Sequence, residues 1–286
     1  MSAAQDLVSG KGHKDENFPV ASVLIEPRYR APVMAFYRFA RTADDVADHA
    51  TASDRERLRL LEEMRATLTG KHDRDAPALG LRQALAERKL PVTHALDLLE
   101  AFRRDVVKSR YANWDELMDY CRYSAAPVGR MVLDIHGEAQ ATWAASDALC
   151  AALQVINHLQ DCAKDYRELD RVYLPEEDLA AAGLDVTALA QPAASPGLRL
   201  VISSLARQTR ELLARGRPLA GQIRNGRLRL EVAFIQRVAE DLTQRLMDRD
   251  PLSERVHHRK LELIPLAGSA LARALTDPRD IAVRGG

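Results

Sequence analysis

Two acid-rich segments of this 286-residue chain have residue types and spacing suited to gripping metal ions and phosphate. The first, Phe36 to Asp48, reads FYRFARTADDVAD; the second, Asn157 to Asp165, reads NHLQDCAKD. In an α-helix, residues four apart share a face, about 6 Å apart along the axis. Arg41, Asp44 and Asp48 would then lie on one stripe with Asp45 beside them, and Asn157, Asp161 and Asp165 on another. Hard cations such as magnesium take oxygen ligands and complete their shell with waters and substrate phosphates. Two such stripes facing each other would make a site for a diphosphate held by metal ions.

Each motif has a plainer reading. A D-D-x-x-D run on its own is usually a solvated helix face. Phe36, Phe39, Ala40, Ala43 and Ala47 make this helix substantially apolar, so its acids are expected to point into a cleft. Bound cations would relieve the repulsion between carboxylates crowded there. Arg41 could hold a diphosphate through paired hydrogen bonds, or simply pair with Asp44 or Asp45; spacing leaves both open. Leu153, Val155, Ile156 and Leu159 surround the second ladder, and Lys164 and Arg167 could reach phosphate oxygens or pair with Asp165 or Glu168.

Between the two ladders stands Tyr120 to Arg130, YCRYSAAPVGR. A phenol near a diphosphate could orient the leaving group, donate a hydrogen bond, or stabilise a cation through its ring. Amphipathic packing with the hydroxyl at the surface is the plainer role for either tyrosine. Ser124, Ala125, Ala126 and Gly129 are small enough to admit a neighbouring helix or a flexible hydrocarbon.

The elements that must position these residues read as helices. Gly (14) and Pro (13) are few, apolar residues recur at helical spacing throughout, and alternating strand-like runs are scarce, so an all-α protein is expected. Residues 1–17 read as a flexible arm. A helix starting after Pro27 or Pro32 should run through the first acid motif, and Ser53 or Asp54 should cap the next, Arg55 to Thr67. Further helical patterns cover 77–88, 92–109, 113–125, 198–215 and 228–248. A long apolar pattern from Met131 to Asp165 is expected to turn at Gly137, and 184–199 reads as a loop.

With 41 basic and 41 acidic residues the formal charge is zero, which favours neither nucleic acid nor an anionic surface as partner. Cys121, Cys150 and Cys162 are odd in number and lack zinc-type spacing, which suits a reducing cytoplasm. Met1 to Glu16 lacks the apolar stretch of a secretory signal, and no run reaches the roughly 18 apolar residues of a spanning helix. The expectation is a cytoplasmic protein, with at most peripheral membrane contact.

Taken together, the three segments make the chain resemble the squalene/phytoene synthase family. Tyr37 to Asp48 is similar to its first aspartate-rich motif, Tyr120 to Gly129 to its tyrosine-containing middle motif, and Asn157 to Pro175 to its second aspartate-rich motif with a Tyr-Leu-Pro ending. The resemblance implies a single all-α isoprenoid-synthase domain, residues 18–286, with a central apolar cavity. It implies Mg2+ as cofactor, served by Asp44, Asp45 and Asp48 from one motif and by Asn157, Asp161 and Asp165 from the other. Arg41, Arg171 and Tyr173 would lie close to the diphosphate of an isoprenoid substrate, and Tyr120 would assist ionisation and steer the cation.

Three details resemble the hydroxysqualene synthase branch of the family, which serves bacterial hopanoid synthesis: Glu16 to Val20 (ENFPV), Ser124 to Arg130 (SAAPVGR), and Gln160 before Asp161 where an Arg is common. That branch implies a diphosphate-lyase acting on presqualene diphosphate, trapping the rearranged carbocation with water, and coupled to a presqualene diphosphate synthase. Tyr120, Tyr123 and Arg130 are the candidates for positioning that water. Two other readings stand beside it. One is a prenyltransferase joining two prenyl diphosphates to presqualene diphosphate, squalene or phytoene. The other is a non-catalytic helical assembly or lipid-binding protein that keeps only the fold.

Overall fold

A computed structural model describes residues 25–259, 262–263 and 265–268. The expected arm at 1–17 and the ENFPV segment lie outside these residues. Helices are the regular elements among the described residues, and no strand occurs there. The chain divides into two compact units, one built from residues up to Ser109 and from Asp119–Gly137, the other from Arg110–Met118 and from Glu138 onward.

The first unit holds α1 (Pro27–Ala47), α2 (Asp54–Leu68), α3 (Ala76–Ala86) and α4 (Thr93–Val107). It also takes most of α5 (Trp114–Ser124) and all of α6 (Ala126–Ile135). Helix α1 packs against α2, α3, α4 and α6. Its apolar face, with Phe36, Phe39, Ala43 and Val46, is buried in the core of this unit. Pro27 starts α1 with its φ already set for a helix. Pro32, inside α1, has no N–H to give to the Arg28 carbonyl one turn back. The Arg88 guanidinium donates to that carbonyl instead, so the helix continues through the proline. Ser53 caps α2 by accepting from the Glu56 N–H, and Asp75 caps α3 by accepting from Ala78. Gly137, at φ +72°, ends the α6 segment as the sequence predicts, since a side chain there would be strained.

The second unit is organised by α7 (Trp143–Leu169), with α8 (Glu176–Ala181), α9 (Pro196–Gly216), α10 (Leu219–Gln222) and α11 (Gly226–Asp248) after it. Helices α7, α9 and α11 pack against one another. Where α9 crosses α7, a Cβ on Gly216 would meet the Leu149 backbone nitrogen at 3.1 Å, so a side chain there would force Leu149 to give way. Glu138 is buried and accepts from the Arg224 and Asn225 N–H groups at 2.9 and 2.8 Å, bracing the start of α11. The expected loop over 184–199 is more regular than its composition suggests. A 3-10 turn occupies Val186–Ala190, and α9 begins at Pro196 because Ser195 caps it and the proline pre-sets the first turn.

Candidate active site

In the first unit the acid motif occupies the last turn of α1. Asp45 is almost fully buried, with 3% of its side chain exposed, while Asp44 exposes 37%. Arg41 bridges both, at 2.8 Å to Asp44 Oδ2 and 2.7 Å to Asp45 Oδ1. The intrahelical pairing that spacing allowed is therefore present, and it holds the guanidinium between two carboxylates. Asp48 is the C-cap residue, one turn beyond Asp44, its N–H returning to the Asp44 and Val46 carbonyls. Arg57 donates to the Ala47 carbonyl at 2.7 Å, placing a cation at the negative end of the helix.

The Asp44 carboxyl is pushed up to about 7. Desolvation is the main cause; Asp48, Asp45 and Asp105 add repulsion, and Arg41 opposes them. A third of its side-chain surface still meets solvent, so this carboxyl is recessed rather than sealed. Carboxylates crowded in this way favour whatever brings positive charge.

Asp105, on α4, is a member of this cluster that the sequence pattern did not single out. It is buried and accepts the Tyr120 hydroxyl at 2.8 Å. Tyr120 is itself 3% exposed, so the plain surface role is ruled out for it. Because its O–H is donated to Asp105, the phenol turns an electron-rich ring and oxygen to its other neighbours. That arrangement suits steering a cation better than protonating a leaving group. Tyr123 differs: it is half-buried beneath Arg104, whose guanidinium lies 4.1 Å from the ring centroid. Arg130 is half-buried.

In the second unit Asn157, Asp161 and Asp165 are all half-buried along one side of α7. The helix ends where Asp170 adopts a left-handed conformation at φ +50°, one that aspartate tolerates better than most residues. The Asp170 and Arg171 N–H groups both return to the Asp165 carbonyl. Arg110 pairs with Asp170 at 2.5 Å and holds the turn. This reversal carries Arg171 to Pro175 into the interior, where all five are buried. Tyr173 lands against His158, ring centroids 3.5 Å apart and nearly parallel, with Tyr111 stacked 5.5 Å from the Tyr173 ring. His158 is held neutral, its pKa lowered to about 3 by burial and by the charge of Arg171.

Lys164 and Arg167, offered above as phosphate contacts, are exposed, and Arg167 reaches instead to the Gln191 carbonyl at 3.5 Å. His257, beyond α11, comes within 4.0 Å of Asp161. No signal in the sequence tied it to the ladder. Cys121 and Cys162 are buried thiols, each pushed up to about 12 by desolvation, and all three cysteines are free.

Among the described residues no three metal-ligating side chains form a ready-made cage. The donor set nonetheless fits magnesium. Every ligand on offer is an oxygen, and the carboxylates around Asp44 repel one another. Magnesium is commonly held by one or two carboxylates plus substrate phosphates rather than by an all-protein cage.

Comparison with known proteins places the chain in a family. The squalene/phytoene synthase family profile matches residues 11–262. The chain belongs to the squalene/phytoene synthase family. Among relatives, a hydroxysqualene synthase of Zymomonas mobilis is 56% identical over 274 residues, covering 95% of this chain and 92% of its own. A hydroxysqualene synthase of Rhodopseudomonas palustris is 53% identical over 95% of this chain and 93% of its own. Among solved structures, squalene synthase HpnC from Alicyclobacillus acidocaldarius superposes with a TM-score of 0.71 at 33% identity, over 84% of this chain and 90% of that one. A dehydrosqualene synthase shares the fold at a TM-score of 0.80 and 22% identity, over 92% and 93% of the two chains. This squalene/phytoene synthase family member is thus an enzyme with the isoprenoid-synthase helical fold. No described helix is long and apolar enough to cross a membrane.

Proposed function

We infer that this enzyme is a hydroxysqualene synthase: it ionises presqualene diphosphate, lets the carbocation rearrange, and traps it with water to give hydroxysqualene and diphosphate. The reading is carried by the relatives of that name, which share 51 to 56% of residues over 93 to 95% of this chain. The reaction is that of a carbon–oxygen lyase acting on a diphosphate.

The side chains described above suit the roles this reaction needs. Ionisation requires stabilising the departing negative charge. Arg41, already braced by two aspartates, and buried Arg171 are the proposed diphosphate-binding cations, with Tyr173 beside Arg171. Asp44, Asp45 and Asp48, and Asn157, Asp161 and Asp165, would hold Mg2+. When bound, the ion supplies the remaining neutralisation of the leaving group. Tyr120, its proton committed to Asp105, presents ring and oxygen to the developing cation. The cation needs an apolar, largely dry surrounding while it rearranges, for which a central cavity is proposed. We further propose a cytoplasmic enzyme in peripheral contact with the membrane, fed by a presqualene diphosphate synthase.

The test is incubation of the purified protein with presqualene diphosphate and magnesium, without NADPH, and mass analysis of the extracted lipid. Hydroxysqualene is the expected product. Inert presqualene diphosphate, together with condensation of farnesyl or geranylgeranyl diphosphate, would replace this reading with the two-substrate prenyltransferase.

A further inference from the structure

We propose that the side-chain amide of Gln160 is the site that holds and orients the attacking water; this rests on the hydroxysqualene synthase reading. Gln160 is 6% exposed. Its Oε1 and Nε2 are both buried, and among the described residues neither has a hydrogen-bond partner. A buried amide left unsatisfied is destabilising, and nearly all such groups in folded proteins are met by protein or by ordered water. An apolar residue of similar length would fill the same space without that penalty. The glutamine therefore implies a small polar ligand.

Its position says where that ligand sits. Gln160 follows Asn157 by three residues and precedes Asp161 by one, so it lies about 60° and 100° around the α7 axis from them. It borders the acid ladder on the side that carries fully buried Ile156 one turn earlier. A ligand on this amide would lie where the ladder meets apolar packing, the kind of boundary at which a cation in an apolar space and a water must meet.

The chemistry of the group selects water. An amide offers an acceptor and two donors at once. Diphosphate oxygens only accept, and would leave Oε1 unmet. Water satisfies both ends: it gives one hydrogen to Oε1, can accept from Nε2, and keeps a lone pair to attack with. An arginine in this place would only donate, and always carries charge. The step balances without an oxidant or reductant. The carbon–oxygen bond of presqualene diphosphate breaks with its electron pair leaving on diphosphate. A water lone pair then forms the new carbon–oxygen bond to the rearranged cation, and one water proton passes to a diphosphate oxygen. Gln160 is not a base and takes no proton.

The experiment compares wild type, Gln160→Met and Gln160→Asn on presqualene diphosphate with magnesium, scoring the alcohol as a share of all C30 lipid released. Methionine keeps the length and removes the amide. Its alcohol share should fall about tenfold relative to hydrocarbons formed by proton loss, the factor that one hydrogen bond supplies at a transition state. Its thermal midpoint should stay close to that of wild type, since methionine fills the same space and leaves no polar group to satisfy. An unchanged alcohol share in Gln160→Met overturns the proposal, and a purely structural ordered water gives that result. If Gln160→Met does not fold, Gln160→Asn decides. It keeps the amide one methylene short and should leak hydrocarbon, whereas a wild-type product ratio overturns the assignment. Wild type giving no alcohol at all would defeat the hydroxysqualene synthase reading itself, a result distinct from a variant with unaltered products.

Discussion

The contact between Tyr120 and Asp105 lends itself to a quantitative test. Both residues are buried, the hydroxyl-to-carboxylate distance is 2.8 Å, and the two stand fifteen positions apart on different helices. Hydrogen bonds to charged groups contribute about 1.5–3 kcal/mol, against about 1 kcal/mol for neutral pairs. Asp105→Asn keeps the shape and should lose the difference, roughly 1 kcal/mol. Asp105→Leu removes the acceptor and leaves the phenol buried, a loss of about 2–3 kcal/mol. If Asp105 acts by holding the phenol, Asp105→Leu and Tyr120→Phe should each lower kcat by about ten- to a hundredfold. KM should move little, because the phenol, through its oriented oxygen as well as its ring, is proposed to act on the cation rather than on bound diphosphate. The decisive assay is a double-mutant cycle on kcat and on urea unfolding. The double variant should be no worse than the poorer single one, with a coupling of about 1.5–3 kcal/mol. Additive losses would refute the idea that the two residues act as a unit. So would an Asp105→Leu variant that keeps full kcat.

Three further outcomes follow from particular groups. The Asp44 carboxyl, raised from 3.8 to about 7, holds a proton in the folded protein that the unfolded chain gives up, so metal-free protein should lose stability as pH rises from about 4 to 7. Asp44→Asn should flatten that decline in thermal melts, and an unchanged slope would count against crowding at this site. His158 runs the other way: with its folded pKa lowered from 6.5 to about 3, its contribution is present above 6.5 and lost as pH falls toward 3. His158→Phe, which keeps a ring against Tyr173, should lose less stability than wild type across that acid window, and parallel melting curves would contradict this. Gly216→Ala places a methyl 3.1 Å from the Leu149 backbone nitrogen, which cannot yield as a side chain would. Overpacking of about 1–3 kcal/mol should outweigh the roughly 1 kcal/mol that alanine gains in helix propensity, so urea unfolding should shift to lower denaturant. A stabilised variant would show that α9 can slide on α7.

What could be read from the chain was set by periodicity and by local punctuation. The acid motif on α1, the turn at Gly137 and the cap at Ser53 are local features, and each occurs where its residues predict. The start of α9 was hidden because Gln191 to Gly197 has loop composition, and only the Ser195-Pro196 pair carries the helix signal. Asp105 could not be found this way. Next to Arg103 and Arg104 it reads as one more charge on a solvated face, and its burial comes from Tyr120 on a different helix. The same holds for His158, whose neighbours Tyr173 and Tyr111 arrive through the reversal at Asp170 and a separate segment. Asp48 was legible: four-residue spacing puts it one turn beyond Asp44, and its N–H closes the last helical bond to the Asp44 carbonyl. Partnerships between elements are fixed by packing, and periodicity does not encode them.

The central claim is that water, not a hydride or a second prenyl chain, ends the carbocation's path. Turnover of presqualene diphosphate with magnesium in oxygen-18 water, without NADPH, tests this most directly. Hydroxysqualene carrying the heavy oxygen is the predicted product. An alcohol that keeps the substrate's own oxygen would mean cleavage between phosphorus and oxygen, and would contradict the account.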